Sequence, residues 1–371
     1  MDLAGARVSV AMATYNGAAF LQEQLASLAT QTQLPHELVV VDDASEDATV
    51  DILGAFAAEA PFPVRIERNR VNVGWRESFA TAISACGGDL IAPCDQDDVW
   101  VAEKLRMCAA WFDAEPGLAL VVHSSRVVDD ALVPSRRRQP SFRRTRVVAP
   151  ESLPFRFAHH GMSLVFPRWL PQSVGGARPL DIDRGSSNRM GHDQWICLLA
   201  MLAGPVALLA DELVLYRRHD ANASNLRPLV VPGGPRRGIL DIEVKAAAYD
   251  FLATRLDGVA DYLEATPVQV PHVDAAVVAA RAQRRAGQYR LAADLHRRRA
   301  SVADASAGRG TRLARVAALA LSGAYRTPGR VGLGLAAAAA DVAVAIVPAR
   351  RPSRHTDISD DARATTRGAN G

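Results

Sequence analysis

Over the first 125 residues, short β-branched apolar runs alternate with stretches whose apolar positions recur every three or four residues. Residues 8–12, 38–41, 64–67, 90–93 and 118–123 read as five buried strands, because each is a near-continuous apolar run. Between them, residues 20–29 place Leu21, Leu25 and Leu28 on one helical face. A second helix is expected to run from Ser45-Glu46-Asp47 to about Ala58, since a serine followed by acids satisfies free amides at a helix start. Residues 76–85 form a third helix, stopped by Gly87-Gly88, and residues 101–112 a fourth. Strands alternating with helices of this length predict an α/β fold with a mostly parallel central sheet, helices on both faces, and ligands at the carboxyl ends of the strands.

The remainder is patterned differently. Residues 134–150, rich in Arg, Ser and Pro, read as a flexible loop, followed by a less regular region to about Arg227. A Val-Val-Pro-Gly-Gly-Pro run at 230–235 reads as a linker. Residues 239–302 are helical and polar in pattern, interrupted near 267–271. Residues 313–347 are alanine-rich and apolar, broken by Pro328-Gly329, and the last twenty are polar. The expected organisation is a catalytic unit at 1–230, a helical region at 231–310, an apolar helical segment at 311–350 and a disordered tail at 351–371. The apolar run 331–347 contains Asp341 and lies between arginines. It suits a helix lying on a membrane or packed on the protein better than a span.

Composition narrows the function. Of 371 residues, 49% are hydrophobic and 22% charged, enough for a sizeable core. The net charge of +3 calls for no nucleic-acid partner. Residues 281–330, however, carry twelve arginines against Asp294 and Asp304. Such a stretch suits anionic lipid headgroups or an acidic partner, and equally a solvated helix surface. Cys86, Cys94, Cys108 and Cys197 show no metal-ligand spacing and sit in apolar settings, so buried thiols and a cytoplasmic protein are expected. The basic and apolar C-terminal stretches leave attachment to the inner face of the plasma membrane open. No signal-peptide pattern leads the chain.

Asp95-Gln96-Asp97-Asp98 follows the fourth strand directly. Three carboxylates in four residues repel one another unless a cation neutralises them, and Mg²⁺ or Mn²⁺ with oxygen ligands would also hold a diphosphate. Asp42-Asp43 ends the second strand, where an acid commonly meets a ribose or base. Thr14-Tyr15-Asn16 follows the first strand and offers an aromatic ring and two polar groups to a base.

Together, residues 8–16 and 41–49, Asn72-Val73-Gly74, Asp95-Gln96-Asp97-Asp98-Val99-Trp100 and Glu103-Lys104-Leu105 resemble glycosyltransferase family two on the GT-A fold, a Rossmann-like nucleotide-sugar-binding domain. The resemblance covers about residues 7–225. The Asp-Gln-Asp-Asp-x-Trp form and Tyr216-Arg217-Arg218-His219 look like rhamnosyltransferase-type bacterial members that act on surface polysaccharides. The resemblance implies that Thr14, Tyr15, Asn16 and Asp43 contact the nucleoside and that Arg76 approaches the nucleotide. Asp95 and Asp97 form the Asp-x-Asp element. Either Asp97 or Asp98 ligates the cation, joined by His219 on a loop that closes over the diphosphate. Gly191-His192-Asp193-Gln194-Trp195 resembles the family's acidic motif at a helix start, implying Asp193 as general base and His192 and Trp195 beside the acceptor. His159-His160-Gly161 reads as acceptor-pocket wall or structure. The implied partners are a UDP-, dTDP- or GDP-sugar donor and a glycan or lipid-linked acceptor.

Two other readings compete. A nucleotidyltransferase would place a glycine-rich basic loop after the first strand, where Ala13-Thr14-Tyr15-Asn16 stands. A catalytically inactive sugar-binding or scaffold protein would have no need of both the acid cluster and Asp193.

Overall fold

The computed structural model describes residues 5–154, 157–174, 190–219, 222, 242–325 and 335–346. The expected linker at 230–235 and the tail at 351–371 lie outside these residues. The amino-terminal half follows the predicted alternation: β1 (Val8–Thr14), α1 (Ala18–Ala29), β2 (Glu37–Asp42), α2 (Thr49–Glu59), β3 (Val64–Arg68), α3 (Trp75–Ala85) and β4 (Leu90–Cys94). These strands pair in parallel in the order β3-β2-β1-β4. β1, β2 and β4 are buried along their whole length, as strands covered on both faces must be.

The register decides where the motifs emerge. Thr14 pairs with Asp42 and Met12 with Cys94. The residues that follow β1, β2 and β4 therefore leave the sheet at one edge, about 5 Å apart from strand to strand.

The sheet continues with β5 (Val99–Trp100), α4 (Lys104–Ala114), β6 (Leu120–Val128), β7 (Pro134–Arg138), β8 (Arg146–Val148), β9 (Leu164–Pro167), α5 (Trp169–Gln172), α6 (His192–Ala203) and β10 (Val206–Arg217). β9 runs antiparallel between β4 and β6, joining the two halves of the sheet. β10 pairs parallel with β6 and antiparallel with the two-residue β5. Residues 134–150 are thus not a loop throughout. β7 and β8 add to β6 and β10 as short outer strands. Pairing to a neighbouring strand supplies order that their arginine-rich sequence does not signal. α2 begins later than expected, because Asp47 rather than Ser45 serves its first turn. Asp47 accepts the Thr49 amide at 3.0 Å.

Two helices, α7 (Ile242–Ala265) and α8 (Ala275–Val302), form an antiparallel pair, with the break at 267–271 where expected. They share one core with α6: Trp195, Ile196, Leu199 and Leu202 pack with Leu256, Val259, Leu263, Val278 and Tyr289. Arg281 at the start of α8 caps the end of α6, donating to the Leu202 and Ala203 carbonyls at 3.0 and 3.2 Å.

α9 (Arg309–Leu321) and α10 (Leu335–Ile346) complete the described chain. Within the apolar 331–347 stretch, α10 packs on the protein. Asp341 is fully buried and accepts from Arg299 Nε at 2.8 Å, Tyr325 Oη at 2.9 Å and Tyr249 Oη at 3.2 Å. A buried ion pair thus holds α10 against the rest of the protein. Among the described residues no helix is long and apolar enough to cross a membrane.

Candidate active site

Three turns meet at the sheet edge, and side chains tie them together. Asn16 takes a positive φ of 46° and Ala44 one of 64°, conformations that non-glycine residues adopt at a cost and that cluster at functional sites. The Asn16 amide donates to Ser45 Oγ at 2.9 Å, and Asn16 Oδ1 accepts the Glu46 amide at 2.8 Å. Thr14 is buried and donates Oγ1 to Asp42 Oδ1 at 3.0 Å, so its hydroxyl braces β1 against β2. Tyr15 is 46% exposed and is the member of this group that presents a ring to the edge.

Asp43 is buried and faces the chain's own amides. Its oxygens accept from the Val73 and Gly74 amides at 2.9 and 2.8 Å and from Asn69 Nδ2 at 2.8 Å. Gly74 has φ 93°, which a residue with a side chain would resist, and it leads directly into α3. Asp43 therefore fixes the loop that delivers Trp75 and Arg76. The Arg76 guanidinium lies 4.2 Å over the Trp75 ring.

Gln96, inside the acid cluster, has no functional role that the sequence pattern signals. Its Oε1 accepts the Tyr15 amide at 2.9 Å while its Nε2 donates to the Tyr15 carbonyl at 3.1 Å. A Cβ at position 17 would fall 2.2 Å from Gln96 Oε1, which is why Gly17 follows.

The acids on either side of Gln96 differ. Asp97 Oδ2 lies 2.9 Å from His219 Nε2 and accepts Asn222 Nδ2 at 3.0 Å. Asp98 is fully buried. Its Oδ1 accepts the Arg217 amide at 2.9 Å, and its Oδ2 is buried without a partner. Burial, then Asp97 and Asp95, holds the Asp98 carboxyl well above the usual carboxylate range. Asp95 is pushed up to about 7 by burial first, then by the negative charges of Asp97 and of Asp193.

Arg217 braces this assembly from below. It is 2% exposed, donates Nε to the Asp97 carbonyl at 2.9 Å and Nη1 to the Asp130 carbonyl at 2.7 Å, and pairs through Nη2 with Glu23. Lys104 is also buried, donating Nζ to the Met162 carbonyl at 2.8 Å, and burial lowers its pKa to about 7. Both residues lie within motifs that carry the family resemblance, but nothing local in the sequence marks either as part of a site.

These residues fit a divalent cation. The cluster sets three carboxyl groups side by side, and it includes an orphaned carboxyl oxygen on Asp98. The Asp97–His219 separation matches the roughly 3 Å between adjacent ligands of an octahedral ion. Among the described residues no three His, Cys, Asp or Glu side chains form a ready cage.

Across from the acids stands the start of α6. Asp193 lies in its first turn, and its Oδ1 accepts the Gln194 amide at 2.8 Å, which fixes the rotamer. His192 is 3% exposed, stacked on Phe79 at 4.0 Å between centroids, with both ring nitrogens buried and unpartnered. Its pKa falls to about 4, chiefly through burial. Trp195 is 1% exposed and belongs to the core beneath α6, because a helix turn carries it to the face opposite Asp193. His160 stands on the open side. Its Nε2 is 2.8 Å from Gln139 Nε2, its ring is 5.5 Å from Tyr216, and the charges of Asp193 and Arg218 both reach it.

Residues 9–171 match the family described as glycosyl transferase family 2. An uncharacterized protein of Mycobacterium tuberculosis is 30% identical over 215 residues, 57% of this chain and 59% of that protein. The chain thus spans less than two thirds of that relative's length. Abequosyltransferase RfbV of Salmonella typhimurium is 28% identical over 115 residues, 30% of this chain and 34% of that protein. The fold resembles that of S. aureus TarS residues 1–349 in complex with UDP. The TM-score is 0.52 at 17% identity, covering 86% of this chain and 93% of that one. With the motifs at the sheet edge where the fold requires them, residues 9–171 are similar to glycosyl transferase family 2, on a GT-A fold.

Proposed function

We propose that the protein transfers a glycosyl group, with inversion, from a nucleotide-sugar donor to a hydroxyl of a glycan or lipid-linked acceptor. One observation carries the reading. The start of α6, with Asp193 in its first turn, packs through His192 on Trp75 and Phe79 of α3, beside the turn that Asp43 holds, and the charge of Asp193 reaches Asp95 after β4. A base and a diphosphate site that share one cleft are what an inverting displacement needs.

In this reading Tyr15 stacks on the base. Thr14 and Asn16 shape its turn, and Asp43 holds the loop that brings Arg76 to the nucleotide. Asp95 faces the donor sugar. Asp97 and His219 are the protein ligands of Mn²⁺ or Mg²⁺, which when bound would stabilise charge growing on the leaving diphosphate. Of the two candidate acids Asp97 is preferred, since Asp98 is fully buried with one oxygen committed to Arg217. Asp193 accepts the proton of the acceptor hydroxyl as that oxygen attacks the anomeric carbon. Its fixed rotamer limits the reorganisation needed. His160 and Arg218 line the acceptor side with Tyr216 buried behind them, while His192 and Trp195 support α6 from within. The UDP bound to TarS and the sugar transfer named for RfbV support a nucleotide-sugar donor. Rhamnose remains one donor sugar among those to be screened.

A panel of UDP-, dTDP- and GDP-sugars tests this. One nucleotide class should raise the melting temperature in a metal-dependent way and be hydrolysed slowly. Asp97→Ala should abolish both effects. A panel with no metal-dependent response would reject the reading.

A further inference from the structure

Helix α9 has two apolar faces. The inner one places Val316 and Leu319 in a small core with Leu295, Val302 and Tyr325. Arg312 is buried on that side, with Nε 3.2 Å from the Ala345 carbonyl. The outer face carries Leu313, Ala314, Ala317, Ala318 and Leu321, all exposed, with Leu321 at 90%. At 100° per residue these five form one continuous stripe opposite the core, with no charge within it. Arg309 and Arg315 flank the stripe.

The charge around this helix is one-sided. Residues 305–340 contain Arg309, Arg312, Arg315, Arg326 and Arg330 and no Asp or Glu. Arg315 reaches back to Asp304 at 3.2 Å, just before the helix. The first turn of α9 holds arginine and no acid, although a helix N-terminus favours anions. On α8 five of the seven arginines are answered by acids. Arg281 pairs with Glu151, Arg290 with Asp257, Asp261 and Glu264, Arg297 with Asp257, Arg298 with Asp294, and Arg299 with Asp341. The arginines of the 281–330 stretch are thus mostly paired on α8, while on α9 Arg309 is exposed at one border of the stripe and Arg315 partly exposed at the other.

We propose that the outer face of α9 docks on an anionic lipid bilayer, its apolar stripe entering the headgroup boundary and its flanking arginines meeting lipid phosphates. An exposed apolar stripe edged by arginines is the pattern of a helix that lies in a membrane interface, and arginine stems reach along such a stripe with their heads in water. The inference goes beyond the proposed activity by naming the surface on which a lipid-linked acceptor would be met. It rests on that reading for its purpose, not for its test.

The full chain should sediment with phosphatidylcholine vesicles that contain phosphatidylglycerol and stay in solution with phosphatidylcholine alone, and added salt should release it. Leu313→Glu with Leu321→Glu alters exposed positions only. It should weaken vesicle binding by about a hundredfold while leaving nucleotide-sugar binding and the melting temperature unchanged. Arg309→Glu, which suits the helix N-terminus, should fold at least as well and also lose vesicle binding. The proposal is overturned if the wild type ignores phosphatidylglycerol or if the variants bind as the wild type does. It is also overturned if the wild type is a dimer that the leucine variant converts to monomer, which would assign the stripe to a second copy. None of these outcomes depends on glycosyl transfer.

Discussion

The side-chain amide of Gln96 grips the main chain of Tyr15 at both ends, accepting its amide at 2.9 Å and donating to its carbonyl at 3.1 Å. One residue thereby links the turn after β1 to the acids after β4. Removing it leaves two polar main-chain groups to be satisfied by water and frees the turn. At roughly 1 kcal/mol per hydrogen bond, Gln96→Ala should weaken nucleoside diphosphate binding about ten- to thirtyfold, measured by calorimetry. Gln96→Glu keeps the acceptor and loses the donor, so it should fall between. Unchanged affinity in Gln96→Ala would mean that the Tyr15 turn takes no part in binding.

Asp193→Asn keeps the size and polarity of the side chain and removes its basicity. Transfer should drop by about two to four orders of magnitude, with donor affinity preserved. The split between turnover and binding identifies a base. Loss of donor binding would instead indicate a structural role at the start of α6.

Chelation by EDTA should stop activity, and Mn²⁺ or Mg²⁺ should restore it. His219→Ala should raise the Mn²⁺ concentration for half-maximal activity by about ten- to a hundredfold, because one of the two facing ligands is lost. Full activity in chelator would remove the cation from the mechanism.

His192 is a buried neutral imidazole whose pKa lies near 4 in the folded protein, against an ordinary value of 6.5. Between those values the unfolded chain binds the proton and the folded one does not. Stability contributed by this site is therefore complete above pH 6.5 and is lost as pH falls towards 4, by about 3 kcal/mol. His192→Phe should flatten the acid limb of the stability curve in denaturant titrations between pH 6.5 and 4. His123, lowered to about 3 by burial, still contributes in both proteins, so the comparison isolates His192. Parallel acid limbs would contradict a buried neutral ring.

The β/α alternation and the sheet edge at which the acids gather were legible in the chain, and the family resemblance suggested the candidate roles of Asp95, Asp97 or Asp98, Asp193 and His219. Burial on both faces writes long apolar runs into sequence. Carboxylates clustered after such runs repel one another at a cost that a cation or a ligand has to offset. The less regular strands were not legible. β7 and β8 exist because β6 and β10 offer them an edge, and that edge comes from residues far away in the chain. Side-chain direction was equally hidden. Thr14 and Asp43 stand in nucleotide-binding motifs, yet their polar groups close on Asp42 and on the amides of Val73 and Gly74. Trp195, two residues from Asp193, faces the core.

By itself the sequence determined the family resemblance, the sheet and the acids at its edge, because motif spacing, local periodicity and strand-end chemistry depend on neighbouring residues. Only the tertiary structure decided which of those acids stay open, which arginines are already paired and which apolar helix face is left uncovered. Pairing and burial are properties of groups brought together from distant parts of the chain. Asp341 joined to Arg299 packs α10 on the protein, one of the two readings that its sequence allowed. The helix beside it is left with the exposed apolar stripe.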